Sequence, residues 1–128
     1  MAIHAFMMLL AASGCTVPGA AGIVANFEPE SGFSPTIDHG LGLGLAQLVG
    51  NRKKRMLVTL GVHWSDWRWQ TGYILREMWD MGIYESICHA QEAGRAAAIM
   101  MVRYEMPDNA NTGPRAARAR QISAAYGR

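Results

Sequence analysis

The sequence predicts a mainly α-helical fold with one small β-hairpin or strand near residues 36–46. Apolar residues recur at helical spacing through most of the 128 residues, and Gly or Pro usually follows where a helical pattern stops. Only residues 31–45 lack this spacing, because Gly and Pro interrupt them repeatedly. Half of the residues are hydrophobic and 17% are charged, so the chain can bury a core. At this length we expect a single domain over residues 1–128.

Two helices are predicted at the N-terminal end. Residues 3–13 are apolar nearly all round and a glycine follows them, which indicates a short buried helix. Thr16 can cap a second helix, and we expect Pro29 to end it. Glu28 and Glu30 would then lie at the C-terminal end of this helix, with Glu28 at the surface.

The predicted β element lies in a run that alternates strictly between Gly and Leu, residues 40–45. This is the period of a strand, so the leucines would line one face and leave bare backbone on the other. Glycine within a strand marks a place where a ligand or another backbone approaches closely, which makes Gly42 and Gly44 candidate binding residues. The alternative is a flexible, poorly packed turn.

Four further helical regions follow. Helical spacing, with capping residues before it and Gly or Pro after it, predicts helices at 51–60, from Ser65 or Asp66 to about 81, at 84–104 and at 115–126. The region at 84–104 either continues unbroken or restarts near Ala96.

The charges are distributed unevenly along the chain. Residues 1–50 contain Glu28, Glu30 and Asp38 but no Lys or Arg, whereas the remainder holds all 12 basic residues. This pattern favours working carboxylates within a mildly cationic surface. The pI of about 8.7 is lower than is typical of a dedicated nucleic-acid-binding protein, so no specific nucleic-acid partner is expected. No apolar run reaches the length of a membrane span, and Arg52 is the first basic residue, so no signal peptide is expected.

The two cysteines, Cys15 and Cys88, provide neither a disulfide framework nor the spacing of a metal site. We expect both to be buried free thiols, and we expect no metal or cofactor.

Four motifs occur in order along the chain, and a final helix follows them. They read Ala20-Ala21-Gly22-Ile23 with Asn26, Glu30-Ser31-Gly32-Phe33-Ser34-Pro35, Gly44-Leu45-Ala46-Gln47 with Gly50 and Arg52, Tyr104-Glu105-Met106-Pro107, and then Arg115 with Ala116 and Ala119. Together they resemble the phage tail lysozymes of the lysozyme-like superfamily, which are related more distantly to lytic transglycosylases and goose-type lysozymes. The resemblance covers nearly the whole chain. It implies an α+β lysozyme-like fold, with about six helices around a cleft.

The resemblance implies that Glu30 is the catalytic acid. Glycosidic cleavage requires protonation of the leaving oxygen, which an acid in apolar surroundings can perform near neutral pH. Asp38 is the only carboxylate between Glu30 and Gln47, so it is the candidate for the second catalytic group, although Asp also favours turns for local reasons. Glu105 is equally compatible with a structural ion pair and with a place in the site.

Substrate binding is assigned to residues of the same motifs. Gln47 and Tyr104 could hydrogen-bond the N-acetyl or hydroxyl groups of a sugar, and either could instead be a packed polar residue. Ser31, Gly42 and Gly44 complete the predicted binding set. Aromatic rings can also stack on sugars. The helical pattern places Trp67 and Trp79 in the core and leaves Trp64 or Trp69 for the surface.

The predicted function is that of a muramidase, which cleaves the bond between N-acetylmuramic acid and N-acetylglucosamine in peptidoglycan glycan strands. The resemblance implies a virion-associated lysozyme or an endolysin, located in a phage tail or in the host cytoplasm before release to the periplasm, with other tail proteins as further partners. The alternatives are a lytic transglycosylase, an inactive virion structural protein with the same fold, and a basic helical nucleic-acid-binding protein.

Overall fold

The computed structural model describes residues 2–40 and 42–127, and these residues are mainly helical. They form seven α-helices: α1 (Ala2–Ala12), α2 (Val17–Ser31), α3 (Gly50–Leu60), α4 (Trp67–Asp80), α5 (Tyr84–Cys88), α6 (Ala93–Ile99) and α7 (Gly113–Tyr126). A 3-10 turn, Gly61–His63, follows α3, and a π-helical turn, Met100–Glu105, continues α6. The mainly α prediction is confirmed. The helical region expected at 84–104 restarts after Cys88, which raises the number of helices from about six to seven.

Helix α2 is the centre of the fold, and it packs against α1, α5, α6 and α7. Every residue from Gly19 to Phe27 is buried. Small residues let its neighbours approach closely: a Cβ atom added at Gly22 would lie 2.6 Å from the Cβ of Ala96 on α6. The apolar Ala-Ala-Gly-Ile motif is therefore a helix-packing surface, and it fixes where the end of α2 lies.

Helix α2 does not end at Pro29, so that expectation was wrong. The helix runs two residues further, and Gly32 caps it in the left-handed conformation with φ 58° while its N–H donates to the carbonyl of Glu28 at 2.9 Å. Proline removes only one backbone hydrogen bond, that of its own missing N–H, so the helix can continue past it. The N–H of Gly32 then satisfies a carbonyl of the last turn. Glu28 and Glu30 thus both lie on the final turn of α2.

The predicted β-hairpin or strand is wrong. Between α2 and α3 the described residues form turns, with only the isolated antiparallel bridges Asp38–Leu43 and Leu43–Leu48. Positive φ angles at Gly44 and Gln47, 84° and 53°, turn the chain where a strand would have to continue. Leu41, inside the alternating run, lies outside the described residues. We refer to residues 33–49 as the α2–α3 loop.

The two cysteines form a disulfide, which overturns the expectation of free thiols. Cys15 precedes α2 and Cys88 ends α5, and their Cα atoms are 4.6 Å apart. Thr16 secures the same junction, because its N–H donates to the carbonyl of Cys88 at 2.9 Å and its hydroxyl to that of Ala90 at 2.6 Å. The cysteines lie 73 residues apart in sequence, so their spacing gave no indication of this pairing.

The tryptophans only partly follow the helical pattern. Trp67 is partly buried and its ring packs edge-on against Phe6, with 4.8 Å between centroids. Trp79, expected in the core, is 66% exposed, whereas Trp69 is exposed as anticipated. Trp64 is partly buried against the core. None of the helices in the described parts of the chain is both long and apolar enough to span a membrane.

Candidate active site

Glu30 is held by an arginine from the last helix. Nη2 of Arg115 donates to Oε2 of Glu30 at 2.7 Å, and Nη1 of the same guanidinium donates to Oδ1 of Asn26 at 2.6 Å. Asn26 is fully buried and is itself fixed, since its Nδ2 donates to the carbonyls of Gly22 and Ala97. About a fifth of the Glu30 side chain remains exposed, so a substrate can reach it.

Two of the sequence motifs and the last helix therefore meet at one point. Asn26 lies one turn before Glu30 on α2, and Arg115 lies in the first turn of α7, 85 residues after Glu30. Neighbouring Glu28 is separate, because its carboxylate pairs with Arg118 at 2.8 Å. Sequence reasoning placed Arg115 on the last helix but did not identify its partners, which only the packing of α7 on α2 brings together.

Glu105 is the last residue of the π-helical turn that follows α6. The residue is partly exposed, but its Oε2 atom is buried and has no hydrogen-bond partner among the described residues. Burial raises the pKa of the Glu105 carboxyl well above its usual range, and the charge of Glu30 raises it further. Arg115 and Arg52 lower this pKa without reversing the effect. Burial therefore disfavours the charged form of Glu105.

Tyr104 lies beneath this cluster and is fully buried. Its hydroxyl donates to Oε1 of Glu77 at 2.6 Å, and the Arg52 guanidinium lies 4.5 Å from the centre of its ring. Arg52 also donates to the same Glu77 oxygen at 3.0 Å and to the carbonyl of Tyr104 at 2.8 Å. Burial, followed by the charge of Glu77, raises the pKa of Tyr104 well above its usual value. The hydroxyl expected to bind a sugar is thus committed to joining the π-helical turn to α3 and α4.

Asp38 is not joined to Glu30 in the described structure. It is exposed, and its Oδ1 accepts a hydrogen bond from the N–H of Gly40 at 2.9 Å. This is the local turn interaction for which Asp is often selected.

The glycines of the α2–α3 loop accommodate glutamine side chains. A Cβ atom at Gly42 would lie 2.7 Å from Oε1 of Gln47, whose Nε2 donates to the carbonyls of Ile37 and Gly44. A Cβ atom at Gly44 would lie 2.6 Å from Oε1 of Gln70. In this structure, protein atoms therefore cover both glycine positions that were predicted to face a ligand.

Gln70 of α4 is a residue that sequence reasoning missed. Its side chain is fully buried, and it accepts from the N–H of Leu45 and donates to the carbonyls of Pro35 and Trp64. The available signal was a polar residue one turn before Ile74 on an apolar helix face. Ser31 is also buried, with its hydroxyl donating to the carbonyl of Phe27 at 3.0 Å.

Two cavities share residues with the cluster. One of about 490 Å³ includes Arg115 and Met101 in its lining, and one of about 670 Å³ includes Arg52, Glu77 and Met106. The first is mainly apolar and the second contains three arginines. Within residues 2–40 and 42–127, no group of three or more His, Cys, Asp or Glu side chains is arranged to hold a metal ion.

The family of the chain follows from comparison with known proteins. None of the curated proteins compared with the chain matches it. The family model described as phage tail lysozyme matches residues 2–126, which include Glu30, Glu105 and Arg115. A match over nearly the whole sequence indicates a lysozyme-like function on peptidoglycan. The chain belongs to the phage tail lysozyme family.

Proposed function

We propose that the chain is a muramidase that hydrolyses the bond between N-acetylmuramic acid and N-acetylglucosamine, with Glu30 as the general acid. The observation that carries this proposal is the position of Glu30, which is reachable from solvent and fixed by Arg115 and Asn26. Membership of the phage tail lysozyme family supports peptidoglycan as the substrate.

The chemistry demands a proton at Glu30 when the bond breaks. The leaving oxygen must be protonated as positive charge develops on the sugar, and the spent carboxylate then takes a proton from the attacking water. Asn26 and Arg115 hold the carboxylate in one orientation, which favours in-line delivery of that proton. Asp38 remains the proposed second carboxylate, since its exposed place on the α2–α3 loop is accessible to a glycan.

Gln47, Gly42 and Gly44 remain the proposed substrate contacts. Gln47 is partly exposed, so its amide can exchange one of its intraloop hydrogen bonds for an N-acetyl group. Buried Tyr104 and Ser31 then have supporting roles, because they position the turns that carry Glu105 and Glu30. The family also supports a phage or host-cell location, and we propose action either from a virion tail or as an endolysin.

Substitution of Glu30 by Gln tests the proposal. We expect the folded variant to clear purified cell walls more slowly than the wild type, by a factor of at least about 10²–10⁴, because the amide cannot act as an acid. The control is Glu85→Gln, which removes the same charge from an exposed carboxylate on α5 that pairs with His89 just after the helix. A folded Glu30→Gln protein that clears walls as fast as the wild type would contradict the proposal.

Mass spectrometry of the products tests the reaction type. Hydrolysis leaves reducing-end muramic acid, whereas a lytic transglycosylase leaves a 1,6-anhydro ring that is lighter by one water. We expect the hydrolytic product. Anhydro products would assign the chain to the transglycosylase reaction and remove the need for Asp38 to position water.

A further inference from the structure

Two cavities adjoin each other between α3 and α4, and Glu30 lines neither of them. The larger, of about 670 Å³, is the cavity that contains three arginines, and the smaller, of about 300 Å³, is lined in part by Trp69. Tyr73 lines both, so the two form one continuous depression, which we call the α3–α4 groove. Both volumes are within the range of small-ligand sites, roughly 300–1,000 Å³.

Trp69 forms a flat apolar wall at one end of the groove, and it is 48% exposed. One face of its indole stacks on the imidazole of His63, with 4.0 Å between the ring centroids and 5° between the ring planes. A Cβ atom added at Gly72, one turn later on α4, would have no neighbour within 4 Å, so the space beside the ring is open. An exposed ring held in one orientation is a surface on which a sugar ring can stack.

The other end of the groove is cationic. Its lining contains three arginines and two carboxylates, a net charge of +1. Arg52 binds Glu77 at 3.0 Å, whereas Arg55 approaches the same carboxylate only to 3.7 Å, which is too long for a hydrogen bond. Arg76 pairs with Asp80 through Nε at 3.4 Å. The side chains of Arg55 and Arg76 are 63% and 76% exposed, so most of their N–H donors can reach a ligand.

The two ends lie on the same face of α4. Trp69 and Arg76 are seven residues apart, which is about two helical turns or 10 Å along the axis. That separation is comparable with the length of a disaccharide. A ligand that fills the groove therefore has a sugar at one end and an acidic group at the other. Neutral glycans lack the acidic group, whereas the peptide stems on the N-acetylmuramic acid of peptidoglycan carry free carboxylates.

We propose that the α3–α4 groove is a second, non-cleaving binding site for peptidoglycan. In this site, Trp69 stacks on a sugar, and Arg55 and Arg76 pair with carboxylates of the peptide stem. The choice of ligand rests on the peptidoglycan-directed function of the family. Binding here keeps the protein on the insoluble wall between cleavage events, because a tethered enzyme meets the next bond at a higher effective concentration.

An NMR titration with N-acetylglucosaminyl-N-acetylmuramyl tetrapeptide tests the proposal. This probe contains no bond from muramic acid to N-acetylglucosamine, so its binding is measured whether or not the chain is a muramidase. Signals of residues 68–76 should shift, and the affinity read from them should fall at least about fivefold in Trp69→Ala. Gly72→Leu should weaken binding similarly, because it fills the space beside the ring and leaves Trp69 in place. The control is Trp79→Ala, an exposed tryptophan of the same helix that lines neither cavity.

The same disaccharide without its peptide tests the cationic end. It should bind more weakly than the peptide-bearing probe, and the difference should disappear at about 1 M salt, where exposed charges are screened. Replacing both Arg55 and Arg76 by Gln should weaken binding of the peptide-bearing probe about fivefold and leave binding of the bare disaccharide unchanged.

Three outcomes would overturn the proposal. Unshifted signals at residues 68–76, or shifts confined to α2 and α7, would show that the groove binds no peptidoglycan fragment. Wild-type affinity in Trp69→Ala would show that the ring is not the sugar platform. Equal affinity for the two probes would make the groove a site for neutral glycans instead. None of these outcomes bears on cleavage, which Glu30→Gln tests separately.

Discussion

Opening the Cys15–Cys88 disulfide should lower the free energy of unfolding by about 4 kcal/mol without changing the fold. The bond closes a loop across 73 residues of sequence. In the chain-entropy treatment, a loop of this length restricts the unfolded chain by about 15 cal/mol/K, which gives the stated value at 25 °C. The unfolding entropy of 128 residues is about 270 cal/mol/K, so the melting temperature should fall by about 15 °C.

The folded state should survive the loss of the bond, because other contacts hold the same junction. Thr16 donates two hydrogen bonds to carbonyls at Cys88 and Ala90, and Gly19 packs so closely against the Cys88 backbone that an added Cβ atom would overlap its carbonyl oxygen. The predicted effect therefore acts on the unfolded chain, and wall clearing at low temperature should persist after reduction.

Urea and thermal unfolding of oxidised and reduced protein, beside a variant with both cysteines replaced by Ala, measure the effect. The double variant should match the reduced protein and should not respond to reductant. Equal stability of oxidised and reduced protein would refute the entropic argument. Alkylation of two thiols in unfolded protein that was never reduced would refute the disulfide itself.

Two further predictions concern packing and charge. Gly22→Ala should lower the free energy of unfolding in urea by about 1–3 kcal/mol, because its new methyl group meets Ala96. The control is Gly72→Ala on α4, which has open space around it and should leave the stability unchanged or slightly higher. Equal unfolding midpoints for the two variants would contradict the close approach at Gly22. A hydrogen bond from Arg120, helped by backbone N–H groups, lowers the pKa of Glu92 from 4.5 to about 2. The stabilisation from the Glu92–Arg120 ion pair is therefore present above pH 4.5 and is lost as the pH falls towards 2. Over that range, the free energy of unfolding should fall less for Glu92→Gln than for the wild type. An identical acid profile would show that the ion pair contributes nothing.

Local signals predicted most of the helices. Thr16 caps α2 by accepting from the N–H of Gly19, and Asp66 caps α4 by accepting from that of Arg68, as the sequence indicated. Each cap acts over two or three residues, so reading the neighbouring residues is sufficient to find it. Pro29 and the Gly-Leu run misled the prediction: the Gly32 cap lets α2 continue past the proline, and positive φ angles at Gly44 and Gln47 turn the chain where a strand was expected.

The candidate site also has parts that the sequence predicted and parts that it did not. The motif around Glu30, with its resemblance to phage tail lysozymes, was readable from the chain alone, and the family match confirms that resemblance. The Gly-Leu run was equally visible, but the strand expected there was wrong, and only the fold shows that Gln47 and Gln70 lie beside its glycines.

The sequence by itself determined the mainly helical class, the positions of most helices and the family, because helical periodicity, capping and motif order are properties of neighbouring residues. Only the tertiary structure decided that Arg115 holds Glu30 and that Cys15 meets Cys88. These partners are separated by more than 70 positions in the chain. Their pairing, and the pKa that burial gives to Glu105, arise from the packing of whole helices against α2, which spacing along the chain does not encode.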